Sequence, residues 1–341
     1  MTEQYDTTTT PAVIKFIAER YDSDNIIAHS VEGGYSRNRR AIIDVDGRSF
    51  FAKEVDTSLL PDEGNIELGW LEKDHAVTTE LAKHGVSIVP DWAELHLDGH
   101  LLLMPCYKKE EGWHWSLPAD AQMRTGYIQS VVDATKELEA TALSKDQIAE
   151  LSLEPFFRDE IAQYEGISQV LSNSVLRDQL TEKYVKLQEK GGHLLPINIQ
   201  MVKTLTDNES LKDLQDQTVK LSKLPNDSLN HCDVRSDNIA YNERTGEVKF
   251  VDWNWASYAP KKFGATEFLL DMARRGVNVS PWYEDMCVEL LAGTVGYYMI
   301  RSLKPPLAPG SALRDMQAET AAVANYLYKQ LRESNIERQL S

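Results

Sequence analysis

His231-Cys232-Asp233-Val234-Arg235-Ser236-Asp237-Asn238, followed by Val251-Asp252-Trp253, is the stretch that decides how this 341-residue chain is read. Asp233 and Asn238 stand five apart in a segment leading into a β-rich run, Ile239–Tyr241. A turn at Asn242–Gly246 sends the chain back through a second run, Glu247–Val251, which Asp252 ends. A hairpin doubles the chain on itself, so the spacing predicts that Asp252 comes close to the Asp233–Asn238 loop. Carboxylate and amide oxygens converging there suit Mg2+, a hard ion that prefers oxygen ligands and leaves positions for water or phosphate. Asp233 is then available to orient a hydroxyl and accept its proton. A lone Asp or Asn in a loop is usually a turn former or a helix cap. What carries chemistry here is the combination of His-x-Asp-x4-Asn, flanking strands and a later Asp.

Upstream of this stretch the pattern is β-rich. Pro11 opens a short amphipathic helix with Val13, Phe16 and Ile17 at helical spacing. Ile26–Val31, Arg40–Val45 and Ser49–Val55 read as a three-strand meander, with Gly33-Gly34 in the first turn and Asp46-Gly47 as a two-residue hairpin signal in the second. A helix is expected over about Glu67–Lys83, stopped by Gly85, then strands near Trp92–Leu97 and Leu101–Met104. Residues 118–221 are mostly helical, with apolar periodicity over Tyr127–Leu143 and Arg158–Leu171. Helices resume from about Glu267 to Glu337, broken by the proline-rich Lys304–Gly310 loop. The expectation is an α+β fold of two lobes: residues 1–106 as a small antiparallel-sheet lobe, and 107–341 as a mainly helical lobe containing one hairpin.

Composition bounds the function. The formal net charge is −17, so the surface repels phosphate backbones and nucleic-acid binding is not expected. Cys106, Cys232 and Cys287 are far apart and form no CxxC pair, which excludes a disulfide framework and a cysteine zinc site and points to a reducing cytoplasm. The first residues show no basic, apolar leader pattern, and no apolar run is long enough for a bilayer, so no membrane partner is expected.

The HCDVRSDN and VDWNWA segments resemble those of the aminoglycoside phosphotransferase and choline kinase-like superfamily, small-molecule kinases of the protein-kinase-like fold. That superfamily writes its loop His-Gly-Asp-x4-Asn with a later Ile-Asp-Trp. The present variant is similar to a bacterial phosphotransferase branch with Asp-Val-Arg-Ser-Asp-Asn and Asp-Trp-Asn-Trp. The resemblance covers about residues 26–275 in order of elements, and it is specific at sequence level over 231–256. It implies that Asp233 is the catalytic base, that Asn238 and Asp252 hold magnesium, and that His231 is a hydrogen-bonding scaffold. Cys232 replaces the usual small residue and is read as packing. Arg235 sits where protein kinases place a Lys that meets the transferred phosphate; pairing with Asp237 is the other reading.

The resemblance also assigns the small lobe. Gly33, Gly34 and Ser36 would cover the phosphates, Lys53 would bind the α- and β-phosphates, and backbone groups near Met104 and Cys106 would meet the adenine edge. Lys53 needs a carboxylate on the next helix. Asp74 shares the apolar stripe of Trp70, Val77 and Leu81, whereas Glu72 points away from it. Family spacing also selects position 74, although the family carries Glu there. The implied activity is an ATP- or GTP-dependent, Mg2+-requiring transfer of the γ-phosphate to a hydroxyl of a small molecule such as an aminoglycoside, amino sugar or amino alcohol. Its acceptor is expected over residues 107–125 and 255–285, where Trp113, Trp115, Trp253, Trp255 and Trp282 either stack on it or pack the core. One departure stands out. Relatives carry an Asp about thirteen residues after Asp-Trp that supports the loop, where this chain reads Gly264-Ala265-Thr266-Glu267. Thr266 or Asp271 would have to substitute; otherwise the rival reading, a kinase fold that binds without catalysis, gains ground.

Overall fold

The structure is a computed structural model that describes residues 9–31, 38–56, 58, 61–153, 155, 164–306 and 311–340, without the side chains of 63 and 335–340. Gly33, Gly34 and Ser36 lie outside the described residues.

Helix α1 (Pro11–Tyr21) starts at its proline. Strands β1 (Ile26–Ser30), β2 (Arg39–Val45) and β3 (Arg48–Glu54) form the antiparallel meander. Asp46 and Gly47 both adopt left-handed φ, 47° and 78°, as a two-residue hairpin turn requires. Helix α2 (Pro61–Lys83) begins six residues before Glu67, because Pro61 supplies a ready first turn. Strands β4 (Glu94–His96) and β5 (Leu101–Pro105) complete a sheet of order β1-β2-β3-β5-β4. β4 is shorter than Trp92–Leu97: the chain turns at Leu97 and Asp98, both with positive φ, and Trp92 instead packs on Phe50.

Period-two alternation divides the sheet. Ala41, Ile43, Val45, Ala52, Leu101 and Leu103 meet Val13 and Ile17 of α1 on one face. Leu102 and Met104 meet Leu71 of α2, with Phe51 and Val251, on the other. That second face also receives Lys53, and α2 presents Asp74 from its buried stripe of Leu71, Val77 and Leu81.

Five short strands follow: β6 (Trp113–His114), β7 (Ser228–Asn230), β8 (Ile239–Asn242), β9 (Val248–Phe250) and β10 (Ser257–Ala259). They form a three-stranded sheet, β6-β8-β9, and a pair, β10-β7. Between and after them the chain is helical: α3 (Ala121–Ala140), then Gly166–Ser172, Ser174–Glu189, Leu195–Thr206, Asn208–Leu221, Phe263–Arg274, Val288–Ser302 and Leu313–Leu340. Of the expected helix over Arg158–Leu171, only the part from 164 onward is described. The architecture is α+β, an antiparallel-sheet lobe followed by a mainly helical lobe. By Cα proximity the chain separates into two compact units: residues 1–130, 141–152 and 237–256, and residues 131–140, 153–236 and 257–341. The β8–β9 hairpin thus groups with the sheet unit. Among the described residues no helix is long and apolar enough to cross a membrane.

Candidate active site

In the sheet unit, Lys53 of β3 is the centre of a buried charge cluster. Its Nζ donates to Asp252 Oδ1 at 2.7 Å and to Asp74 Oδ2 at 3.2 Å. Burial disfavours the ammonium, but the charges of Asp252 and Asp74 outweigh it and raise the Lys53 pKa. Asp74 is pushed up by burial, with the Lys53 charge opposing the shift. Its other oxygen, Oδ1, accepts from the Trp253 backbone N–H at 2.9 Å. Glu72 is exposed on the same helix.

The hairpin fixes Asp252. Val251 N–H donates to the Asn238 carbonyl at 3.0 Å, and Phe250 N–H to the Ile88 carbonyl at 2.7 Å. Buried Lys249 on β9 reaches Asp91 at 2.8 Å and the Ser87 carbonyl at 2.9 Å. These contacts clamp the β9 end against the Val86–Asp91 segment. Asp252 then takes φ 70°, a left-handed bend that redirects the chain after β9. Its side chain keeps 30% exposure.

Asp252 and Asn238 supply hard oxygen donors. Among the described residues no group of three or more His, Cys, Asp or Glu is arranged to hold a metal ion. A Mg2+ site needs no such group, since the ion binds through one or two protein carboxylates, water and phosphate oxygens. The donor set present fits that ion.

Met104 is buried on β5, opposite Phe51 of β3, while Cys106 is partly buried and its thiol is pushed up to about 11 by burial. Cys106, Cys232 and Cys287 are all unbridged.

The helical unit holds the loop that carries Asp233. His231 is buried, 1% exposed, at the end of β7. Cys232 packs with Tyr164, Phe263 and Cys287 and has φ 58°, a conformation that favours glycine. The chain turns there, just before Asp233. Arg235 Nε lies 3.5 Å from Asp233 Oδ1.

Two carboxylates of the helix Phe263–Arg274 support the loop. Glu267 Oε2 accepts from Val234 N–H at 3.4 Å, and Asp271 Oδ2 accepts from Ser236 N–H at 3.3 Å and Ser236 Oγ at 2.9 Å. Burial and the neighbouring Asp233 charge raise the Glu267 pKa well above its ordinary value. Thr266 is engaged elsewhere: its hydroxyl donates to the Lys262 carbonyl and accepts from Cys287 N–H. Gly264 lies at the start of the same helix. A Cβ there would stand 3.2 Å from Thr135 Cγ2 and 3.3 Å from Val234 Cγ2, tighter than most such contacts, so the helix start lies close against the loop. Sequence reading missed Glu267; its signal was the i, i+4 pair of acids following the Asp-Trp motif.

Trp113, Trp253 and Trp282 are core residues, whereas Trp115 and Trp255 are 40% and 44% exposed. Trp255 lies 6.5 Å from the Trp70 ring, and Trp115 donates its indole N–H to the Tyr107 carbonyl. A cavity of about 790 Å³ in the helical unit is lined by residues including Lys220, Lys261, Cys287 and Arg332, and by none of residues 231–238.

No protein-family profile matches the sequence, and no curated protein matches it. Solved structures do. The ADP-bound aminoglycoside phosphotransferase APH(2'')-Ib is similar at 11% identity and a TM-score of 0.50, over 94% of this chain and 99% of that one. Choline kinase LicA from Streptococcus pneumoniae matches at 12% identity and a TM-score of 0.49, over 91% and 99%. A choline/ethanolamine kinase family protein from Mesorhizobium loti matches at 11% identity and 0.49, over 92% and 98%. The chain has a two-lobed, protein-kinase-like fold, similar to that of the aminoglycoside phosphotransferase APH(2'')-Ib.

Proposed function

We propose that this protein transfers the γ-phosphoryl group of a Mg2+-bound ATP or GTP to a hydroxyl of a small molecule. The observation that carries the reading is Lys53, buried between the carboxylates of Asp74 and Asp252. A buried ammonium held by two carboxylates is poised to meet phosphate oxygens. Asp74 orients it, and Asp252 would exchange it for a divalent cation as the phosphates arrive.

In this reading Asn238 and Asp252 hold Mg2+, which when bound neutralises phosphate charge. Asp233 orients the acceptor hydroxyl and takes its proton, while Arg235, beside it, stabilises the equatorial oxygens of the transferred group. His231 and the carboxylates of Glu267 and Asp271 keep the loop in shape. The nucleotide base lies against Met104 and Cys106, and Gly33, Gly34 and Ser36 cover the phosphates. Loop support from Asp271 speaks against the non-catalytic alternative, since the residue absent at 264–266 has a counterpart.

The acceptor is an amine-bearing alcohol, an aminoglycoside, amino sugar or amino alcohol. Tyr297 stacks on Tyr164 at 4.8 Å and meets Tyr298 edge-on at 5.0 Å, and the charge of Asp233 reaches Tyr298. A carboxylate near tyrosine rings favours a cation. Nucleic-acid and membrane partners do not fit the charge of −17, and the reaction belongs in the cytoplasm, where nucleotide is supplied.

The test is phosphoryl transfer from labelled nucleotide to a panel of amino sugars, amino alcohols, nucleosides and neutral sugars, for the wild type and Asp233→Asn. Expected is Mg2+-dependent transfer to amine-bearing acceptors, lowered roughly 10²–10⁴-fold in the variant with nucleotide affinity retained. Equal turnover in the two proteins removes Asp233 from the mechanism, and binding of nucleotide without transfer to any acceptor favours the non-catalytic alternative.

A further inference from the structure

Arg40 stands directly opposite Lys53 in the β2–β3 register. Direct partners in an antiparallel pair project from the same face, with Cβ atoms about 5 Å apart, and two like charges so placed destabilise the sheet. The neighbouring Arg39 is different: on the alternate face, it pairs with Asp56 at 3.1 Å. Arg40 lies in the field of Asp252 and Glu67, which oppose the lowering of its pKa by burial. Its Nη1 donates to the Asn38 carbonyl at 3.3 Å.

Asn38 is the second observation. It is 4% exposed, yet among the described residues neither its Nδ2 nor its Oδ1 has a hydrogen-bond partner. A buried amide left unbonded is costly. In a folded protein such a group calls for a reason, and a ligand is one.

The local charges make the same point. Arg40 and Lys53 face three carboxylates: Glu67, Asp74 and Asp252. That is a net −1. A divalent cation on Asp252 would turn it to +1, a balance suited to a polyphosphate rather than to an apo state alone.

We propose that Arg40 and Asn38 form a second phosphate-binding corner on β2 that grips the same nucleotide polyphosphate as Lys53. The inference rests on the nucleotide reading of Lys53 and adds two residues to it. The Arg40 guanidinium supplies a planar fork of donors that Lys53, a point charge, lacks, and Asn38 Nδ2 donates to an adjacent phosphate oxygen.

Calorimetry on the full-length protein with the adenosine and guanosine series (nucleoside, mono-, di- and triphosphate), in Mg2+, tests this. Arg40→Gln is expected to weaken di- and triphosphate binding roughly 10- to 100-fold and leave nucleoside binding unchanged. Arg40→Lys falls between, because charge remains and the fork is lost. Asn38→Ala shows a smaller loss in the same direction. The readout is the ratio of triphosphate to nucleoside affinity within each variant, since partial misfolding lowers both together. An unchanged ratio in Arg40→Gln, or in Arg40→Lys and Asn38→Ala should the first variant not fold, overturns the inference while leaving Lys53 in place. A wild type that binds no nucleotide overturns the functional reading and this inference with it.

Discussion

Asp271 and Ser236 are joined by two hydrogen bonds to one carboxylate oxygen, from the Ser236 N–H at 3.3 Å and from its hydroxyl at 2.9 Å. The same carboxylate accepts from Arg274 at 2.9 Å and from Arg275 at 3.1 Å. Burial works against ionisation of Asp271, but Arg275, Arg274 and Ser236 together keep its pKa below the ordinary 3.8. A fully ionised, nearly buried carboxylate thus ties the helix Phe263–Arg274 to the loop carrying Asp233. In relatives an acid nearer the helix start is implied for this task. Here Gly264 occupies the tight approach, and the tie is made further along.

Asp271→Ala is therefore expected to destabilise the protein by about 1–3 kcal/mol and to lower kcat while leaving nucleotide affinity within about twofold. Urea unfolding and steady-state kinetics check the two halves. Asp271→Asn, which keeps one acceptor oxygen, should recover part of kcat. A variant with normal kcat would show that the tie serves folding alone.

Asp252→Ala should abolish the preference of the protein for Mg2+-nucleotide over free nucleotide, because the carboxylate proposed to hold the ion is gone. Titration with and without Mg2+ measures this. Retention of the full preference would assign the ion to other ligands.

Lys53 and Asp74 act as one unit, so Lys53→Ala and Asp74→Ala are expected to be strongly non-additive in catalytic efficiency. Glu72→Ala, on the exposed side of the same helix, should be near neutral. A double-mutant cycle gives the coupling. Additive losses for the first pair would mean that Asp74 holds Trp253 and does not orient Lys53.

Glu267 makes stability depend on pH in a stated direction. Its folded pKa is raised well above 4.5, by burial and then by Asp233. The folded state therefore binds a proton that the unfolded chain has released. Its contribution is complete below the unfolded pKa and is lost as pH rises through the folded value. Glu267→Gln should match the wild type below about pH 4.5 and become the more stable of the two as pH rises above it. Urea midpoints across this range check the sign; parallel curves would contradict it.

Much of the fold is legible in the order of residues because it depends on local rules. Alternation set β2 and β3, a short apolar run set β5, Asp46-Gly47 set a hairpin turn and Gly85 ended α2, whose start at Pro61 lies six residues before the expected Glu67. The candidate segment is equally local: Asp233 and Asn238 stand five apart and one short hairpin separates them from Asp252, so spacing alone singles them out. The helical phase of α2 favoured Asp74 over Glu72 for the same reason, since a buried stripe is a property of one helix.

Only the tertiary structure decided which charges meet across long separations. Lys53 and Asp252 are 199 residues apart, and no periodicity links them. Arg40 gained meaning from its register opposite Lys53, and Asn38 from an unbonded amide that burial alone reveals. Asp271 and Glu267 could be named as acids on a helix, but their partners on the loop depend on how closely Gly264 lets that helix approach. Sequence specifies backbone tendency and side-chain chemistry residue by residue. The environment that sets hydrogen-bond partners and desolvation exists only once distant segments have packed.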